Sequence, residues 1–483
     1  MSLVLPPLAS LIDGLWDESG ETFACENPAN AEILCSLPAT TTEGIDAAVR
    51  AARSAFEGEW GKWSPGRRQK VLEKLAALVS ANSDELAAIE SAENGVPLDI
   101  AKRFSVAALA KNLSYYASWI DKFGGEVVPL TSNGALDYVV PEPYGVVAIL
   151  TAYNTPSLFL GSKVGPALAT GNTVVIKPSP LASMPALRFG QLCLEAGLPP
   201  GVVNVVLGGV EQGKALVGHR DVDRVSFTGS RAAGIEVSKL AAENLVSVAL
   251  ELGGKSPNIV FADADLARVG MGAALGAFAL TGQACVAGSR LFVEESVLDD
   301  VVNSVAGMAK MLPVGDPAKS GTVLGPLITS VHRDRVEAIL ERASAKGAEV
   351  VCGGDRPAGE DLQSGWYINP AVVVHANEES ELVREEIFGP VVAVLPFSDE
   401  DDLVERANDT PYGLAAGVWT KDVSKAHRVA RRIRAGNVWV NSYGTVPHTA
   451  PFGGFKQSGS GREGGHWALG LYTQPKNIYI DLS

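Results

Sequence analysis

An α/β fold built on a parallel, doubly wound sheet is what this sequence predicts, and two observations carry the prediction. Short apolar runs rich in β-branched residues alternate with longer stretches of helical periodicity between Gly145 and Ala242. The chain also has 483 residues, 46% of them apolar, which is more than one hydrophobic core usually serves, so two or three structural units are expected.

The elements follow in order. Gly145-Val-Val-Ala-Ile-Leu150 reads as a strand, and Ser157 to Ala169 reads as a helix closed by Thr170-Gly171. The rhythm repeats with a strand at Thr173-Val-Val-Ile-Lys177, a helix from Ser183 to Ala196, a strand at Val202 to Val206 and a helix near Gln212. A strand at Arg224-Val-Ser-Phe227 and a helix from Arg231 to Ala242 complete the series. Strands alternating with helices pack as a parallel sheet covered on both faces. After Gly254 a helical stretch leads to Cys285, and further αβ segments predict a second layered unit.

Ligands bind such sheets at the carboxyl ends of the strands, where helices begin with unpaired N–H groups. Asn154, Lys177, Gly229-Ser230 and Glu251 all fall just past predicted strand ends, so the chemistry is expected there. Cys285 and Glu251 together offer a nucleophile and a water-activating base. A lone cysteine is commonly a buried, inert thiol, and a lone glutamate is commonly solvated or paired. Glu251, however, lies between Leu250 and Leu252 at a strand end, an apolar setting that raises a carboxylate pKa.

Composition excludes several classes. A balance of 40 basic against 55 acidic residues gives a formal charge of −15, which repels nucleic acid and anionic lipid. The N-terminus lacks a basic region and a long apolar core, and the apolar stretch from Val269 to Leu280 is too short to span a bilayer. A cytoplasmic protein without a membrane partner is expected. Five scattered cysteines fit a reducing compartment, and no His/Cys spacing suits a metal. Gly459-Ser-Gly461-Arg-Glu-Gly464 matches a dinucleotide-binding pattern in letters only, because it neither follows a buried strand nor opens a βαβ unit. It reads as a loop.

Seven ordered motifs now combine: Tyr153-Asn-Thr-Pro156, Gly171-Asn-Thr-Val-Val-Ile-Lys-Pro178, Phe227-Thr-Gly-Ser230, Leu250-Glu-Leu-Gly-Gly-Lys255, Gly282-Gln-Ala-Cys285, Glu386-Ile-Phe-Gly-Pro390 and Pro451-Phe-Gly-Gly454. The chain resembles the aldehyde dehydrogenase superfamily, in its non-acylating, NAD(P)-dependent branch. The resemblance implies that Cys285 is the covalent nucleophile, Glu251 the general base that releases the acid, and Asn154 an oxyanion ligand. It implies a cofactor, NAD or NADP, held by Lys177, Ser179, Gly229, Ser230, Gly234, Leu252, Glu386 and Phe388. It further implies a Rossmann-like cofactor domain over 1–120 and 143–252, a catalytic domain over 253–456, and a small β oligomerisation arm over 121–142 and 467–483. The arm's two segments are expected to pair across subunits of a homodimer or homotetramer.

The chain departs from the family's pattern in three places. Pro180 stands where many NAD-preferring relatives carry a glutamate, so the cofactor preference is open and NADP is expected to be rejected less strongly. Thr151-Ala152-Tyr153 replaces a frequent proline and tryptophan, which touches the geometry near Asn154 but keeps its amide. The substrate tunnel implied by the resemblance is lined by Thr155, Leu158, Phe159, Ser162, Ala279, Ala284, Val286, Val446 and Phe452, several of them small and none an arginine. A bulky apolar or aromatic aldehyde is therefore expected, because a second carboxylate would be buried unpaired. His448 in the neighbouring loop reads as a plain loop histidine. The alternatives are transfer of the acyl group to coenzyme A, which Glu251 opposes, a semialdehyde substrate, and a catalytically silent binding or structural protein on the same fold.

Overall fold

The structure, a computed structural model, describes residues 3–131 and 134–482. Five parallel strands form the centre of an eight-stranded sheet, in the spatial order Ser247–Glu251, Arg224–Thr228, Val146–Leu150, Thr173–Lys177 and Val203–Val205. Along the central strand, Val147 and Ile149 enter one hydrophobic core while Val146, Ala148 and Leu150 enter another. Burial on both faces explains why these strands read as unbroken apolar runs.

The sheet is not parallel throughout. Gly459–Ser460 pairs antiparallel with Ser247–Glu251 at one edge, and beyond Val203–Val205 the strands Ser10–Ile12 and Leu15–Asp17 continue antiparallel to the other. Antiparallel edges need no crossover helix, so segments distant in sequence can close the sheet. The first edge also revises the loop expected at Gly459, which is a two-residue strand. A Cβ there would lie 2.1 Å from the Leu250 carbonyl oxygen, so close backbone approach, not phosphate binding, explains the glycine.

The helix expected from Ser157 to Ala169 is broken into Pro156–Phe159, a π-turn over Leu160–Val164, and Gly165–Ala169. A second π-turn over Ala101–Val106 opens the helix Ala107–Trp119, which packs against the first. Gly161 lets the two approach, since a Cβ there would sit 2.8 Å from Leu109 Cα. π-Turns concentrate at functional sites, and both of these face the cavity described below.

A second, seven-stranded sheet runs in the order Glu349–Cys352, Ala371–Val374, Val391–Phe397, Arg290–Glu294, Pro257–Val260, Ala415–Trp419 and Asn437–Val440. All its pairings are parallel except the first. The tail strand Thr473–Asp481 pairs residue for residue with Ala135–Pro143, whose other side holds Glu126–Val127. The expected pairing of these segments across subunits is thus corrected. Within one chain they already satisfy each other's facing edge. Among the described residues no helix is long and apolar enough to cross a membrane.

Candidate active site

Asn154, Lys177, Gly229-Ser230 and Glu251 follow or end four adjacent parallel strands. The chain winds outward from Val146–Leu150 in one direction and from Arg224–Thr228 in the other, and the diverging loops leave a crevice between them. Glu251 is the last residue of its strand and is buried. Among the described residues its Oε2 has no hydrogen-bond partner, and Gly453 lies so close that a Cβ would stand 2.8 Å from Oε1. Burial, reinforced by the charge of Glu463, raises its pKa well above the ordinary carboxylate value, against the pull of Lys163 and Arg462.

The second sheet's first helix, Leu266–Phe278, delivers the cysteine. Leu280, Thr281 and Gly282 follow with φ of 54°, 57° and 69°, a left-handed run that turns the chain back toward the first sheet. Such backbone costs roughly 1–2 kcal/mol per non-glycine residue, so surrounding contacts must hold it. Gly282 packs on the Gly389 carbonyl, where a Cβ would come within 2.1 Å. Thr281 Oγ1 donates to the Gly325 carbonyl at 3.0 Å. Asn154 Nδ2 donates to the Gln283 carbonyl at 2.8 Å, and the Gln283 side chain accepts from Tyr153 Oη at 3.1 Å and from Ile328 N at 3.0 Å. Burial, then the charges of Glu386 and Glu251, push the half-buried Cys285 thiol up to about 12, while the N–H groups of Cys285 and Val286 oppose the shift.

The consecutive glycines of Leu250-Glu-Leu-Gly-Gly have a steric explanation. At Gly253 a Cβ would lie 2.0 Å from Glu386 Oε2, and at Gly254 another would lie 2.4 Å from the Cys285 carbonyl oxygen. The strand exit therefore admits a carboxylate on one residue and the cysteine's backbone on the next. Gly254 N donates to Glu386 Oε1 at 3.2 Å, and burial pushes that carboxylate up to about 7. Phe388 has φ of 57° and sets its ring edge-to-face on Tyr153 with centroids 5.9 Å apart.

The remaining cofactor candidates end or follow the parallel strands of the first sheet. Lys177 is buried, among the described residues its Nζ donates only to the Pro178 carbonyl at 3.0 Å, and burial lowers its pKa to about 8. Ser179 Oγ accepts from Leu181 N at 3.2 Å, shaping the turn that holds Pro180. Ser230 caps the helix Arg231–Glu243 by accepting from Ala233 N at 3.2 Å. Gly234 and Leu252 meet each other, since a Cβ on the glycine would come 2.6 Å from Leu252 Cδ2. Spare Lys177 donors, a helix N-terminus, the unpartnered Thr228 hydroxyl and the cradled Glu386 carboxylate fit a ligand bearing phosphates and ribose hydroxyls.

A cavity of about 360 Å³ contains Cys285, Glu251 and Asn154 together. Thr155, Leu158, Phe159, Ser162, Ala284, Val286, Val446 and Phe452 line it, whereas Ala279 does not. The expectation of a tunnel without arginine is corrected. Arg103 and Lys111 also line the cavity, brought in by a helix that carries none of the recognisable motifs. His448 lines it too, so it is more than a plain loop residue. Lys163 and Glu463 form a buried ion pair beside Glu251, and Ser162 Oγ donates to Glu463 Oε2 at 3.1 Å. A separation of 300 residues between the paired atoms left no local signal of this pair.

The model of the aldehyde dehydrogenase family matches residues 16–478. The chain is 42% identical over 465 residues to an aldehyde dehydrogenase of Alternaria alternata, covering 96% of this chain and 93% of the relative. It is 41% identical over 473 residues to the betaine aldehyde dehydrogenase of Bacillus subtilis, covering 97% and 96% respectively. A solved NAD+ complex of aldehyde dehydrogenase from Bacillus cereus superposes with a TM-score of 0.96 at 41% identity, covering 99% of this chain and 97% of that one. The chain belongs to the aldehyde dehydrogenase family.

Proposed function

We propose that Cys285, Glu251 and Asn154 carry out the oxidation of an aldehyde to its carboxylic acid, with a nicotinamide dinucleotide as hydride acceptor. One observation carries this reading: the three side chains open into a single cavity at the exits of neighbouring strands. Cys285 Sγ bonds the carbonyl carbon as its proton leaves through Glu251 to solvent and the carbonyl π pair moves onto oxygen. The Asn154 amide and the Cys285 N–H stabilise the oxygen as it gains charge. A nicotinamide, when bound, would supply the acceptor for the hydride that leaves the cysteine adduct, so that Cys285 would then hold a thioester. Glu251 then takes a proton from the water that hydrolyses this thioester, a role suited to a buried carboxylate whose pKa is raised.

Lys177, Ser179, Gly229, Ser230, Glu386 and Phe388 are assigned to the cofactor, with Gly234 and Leu252 packing beneath it. The solved relatives with NAD+ bound support NAD. Pro180, which lacks both a hydrogen bond for a ribose hydroxyl and a charge to repel a phosphate, supports NADP as a second acceptor. The cavity walls Leu158, Phe159, Leu280 and Phe452 favour an aldehyde with an apolar or aromatic body. Exposed Val127, Leu136, Tyr479 and Ile480 on the three-stranded sheet support self-association as a homodimer or homotetramer.

The test is Cys285→Ala. NAD(P)H formation is expected to vanish while cofactor binding persists, and undiminished turnover would refute the assignment. Succinic semialdehyde outperforming benzaldehyde in kcat/KM would refute the apolar tunnel.

A further inference from the structure

We infer that Arg103 and Lys111 form an anion-binding site at the mouth of the Cys285 cavity, so that the preferred substrate is an aldehyde with an apolar body and a carboxylate at its far end. The inference rests on the reading of Cys285 as the nucleophile and adds the substrate class.

Burial orders the cavity from floor to mouth. Asn154, Glu251 and Phe159 are buried, whereas Arg103, Phe104, Lys111 and Val446 are exposed. Arg103, Phe104, Ala108 and Lys111 all come from one continuous helical stretch, at spacings that place them on a single stripe. The apolar members of that stripe therefore lie beside its charged ones, so one extended ligand can meet both.

Neither cation is neutralised by the protein. Among the described residues Arg103 and Lys111 make no hydrogen bond or ion pair, whereas the adjacent Lys102 pairs with Asp84. The two carboxylates lining the cavity, Glu251 and Glu463, are buried near its floor, and Glu463 is already paired with Lys163. His448 also lines the cavity, its ring edge-to-face on Tyr115 with centroids 5.3 Å apart. Partial burial, then the charge of Lys111, holds its pKa below the usual value, so near neutral pH it offers a neutral donor or acceptor. In a chain of net charge −15, a mouth carrying two unpaired cations is a local inversion of sign.

Chemistry selects the ligand. A guanidinium fork suits a carboxylate, and a partly exposed cation can meet that anion without full desolvation. A short semialdehyde would instead leave its carboxylate unpaired among Leu158, Leu280 and Phe452. A trimethylammonium aldehyde would meet like charge at the mouth. The anion must therefore be separated from the aldehyde by an apolar spacer.

The test compares nonanal with ω-carboxynonanal in the full-length enzyme with saturating cofactor. In the unmodified protein the acid-bearing aldehyde is expected to have the higher kcat/KM, through a lower KM, with the advantage shrinking as salt rises. In the double variant Arg103→Gln/Lys111→Gln the ratio of the two specificity constants is expected to fall roughly 5- to 30-fold. Arg103→Lys/Lys111→Arg, which keeps both charges, should restore it. Preference for nonanal in the unmodified protein, or a ratio that the double variant leaves unchanged, overturns the inference while leaving the Cys285 chemistry standing. Turnover of neither aldehyde refutes that chemistry, and the inference with it.

Discussion

Asn154 Nδ2 donates to the backbone carbonyl of Gln283 at 2.8 Å, tying the exit of one sheet's central strand to the loop that carries Cys285 from the other. The amide has a second N–H to offer and lines the same cavity as Cys285, so the loop tie leaves a donor for the proposed oxyanion role. Asn154→Ala is expected to lower kcat by about 10²- to 10³-fold, the usual effect of losing one oxyanion donor. Steady-state kinetics with thermal unfolding as a control checks this, and an unchanged kcat in a folded variant would refute the role.

Glu251→Gln separates the two halves of the reaction. The cysteine adduct can still form, but no base directs water onto the thioester. A burst of about one reduced cofactor per site followed by near arrest is expected in rapid-mixing absorbance. With the pKa raised by burial, the carboxylate gains its basic form only as pH climbs well above the ordinary carboxylate range. Turnover limited by hydrolysis should therefore rise with pH over that window, and the variant should lose this limb.

The buried Glu90 predicts a pH dependence of stability. Burial raises its pKa to about 7, and its Oε2 accepts from Ser157 N at 3.3 Å and Ser157 Oγ at 2.5 Å. Above its unfolded pKa the unfolded chain has already released this proton while the folded chain keeps it. Stability from this group is thus present at low pH and lost as pH rises toward about 7. Glu90→Gln keeps an acceptor for Ser157 and removes the titration. Its Tm relative to the unmodified protein should improve between acid and neutral pH, and a pH-independent difference would count against the argument.

The Lys163–Glu463 pair lies almost wholly out of solvent, with side-chain exposures of 0% and 7%. Glu463→Gln would leave an uncompensated ammonium in the interior. A loss of about 3–5 kcal/mol is expected in denaturant unfolding. It should also remove the charge that helps hold the Glu251 pKa up, moving the pH profile of turnover toward lower pH.

Gly253→Ala would place a methyl group against the Glu386 carboxylate. If Glu386 holds a ribose, cofactor affinity should fall roughly 10- to 100-fold, the equivalent of one charge-assisted hydrogen bond. Fluorescence titration with NAD+ and NADP+ measures this directly and compares the two cofactors that Pro180 leaves open.

The sequence by itself determined the repeating strands and helices from Gly145 to Ala242, because strands buried on both faces must be apolar throughout. It also determined the residues at the strand exits, because the turns there need glycine, proline and cap residues at fixed places. The π-turns at Ala101–Val106 and Leu160–Val164 were not legible, since hydrophobic spacing specifies a helix but not the register slip that two closely packed helices impose. The reason for Gly253 and Gly254 was equally hidden. Only the fold brings Glu386 and Cys285 against them.

Tertiary structure alone decided the electrostatics of the site. Lys163 meets Glu463 across most of the chain, and Arg103 and Lys111 reach the cavity from a helix without any motif. A charge carries no local pattern of its own in a sequence. Whether it is paired, buried or left facing a ligand depends on which distant segments the packing of two sheets brings beside it.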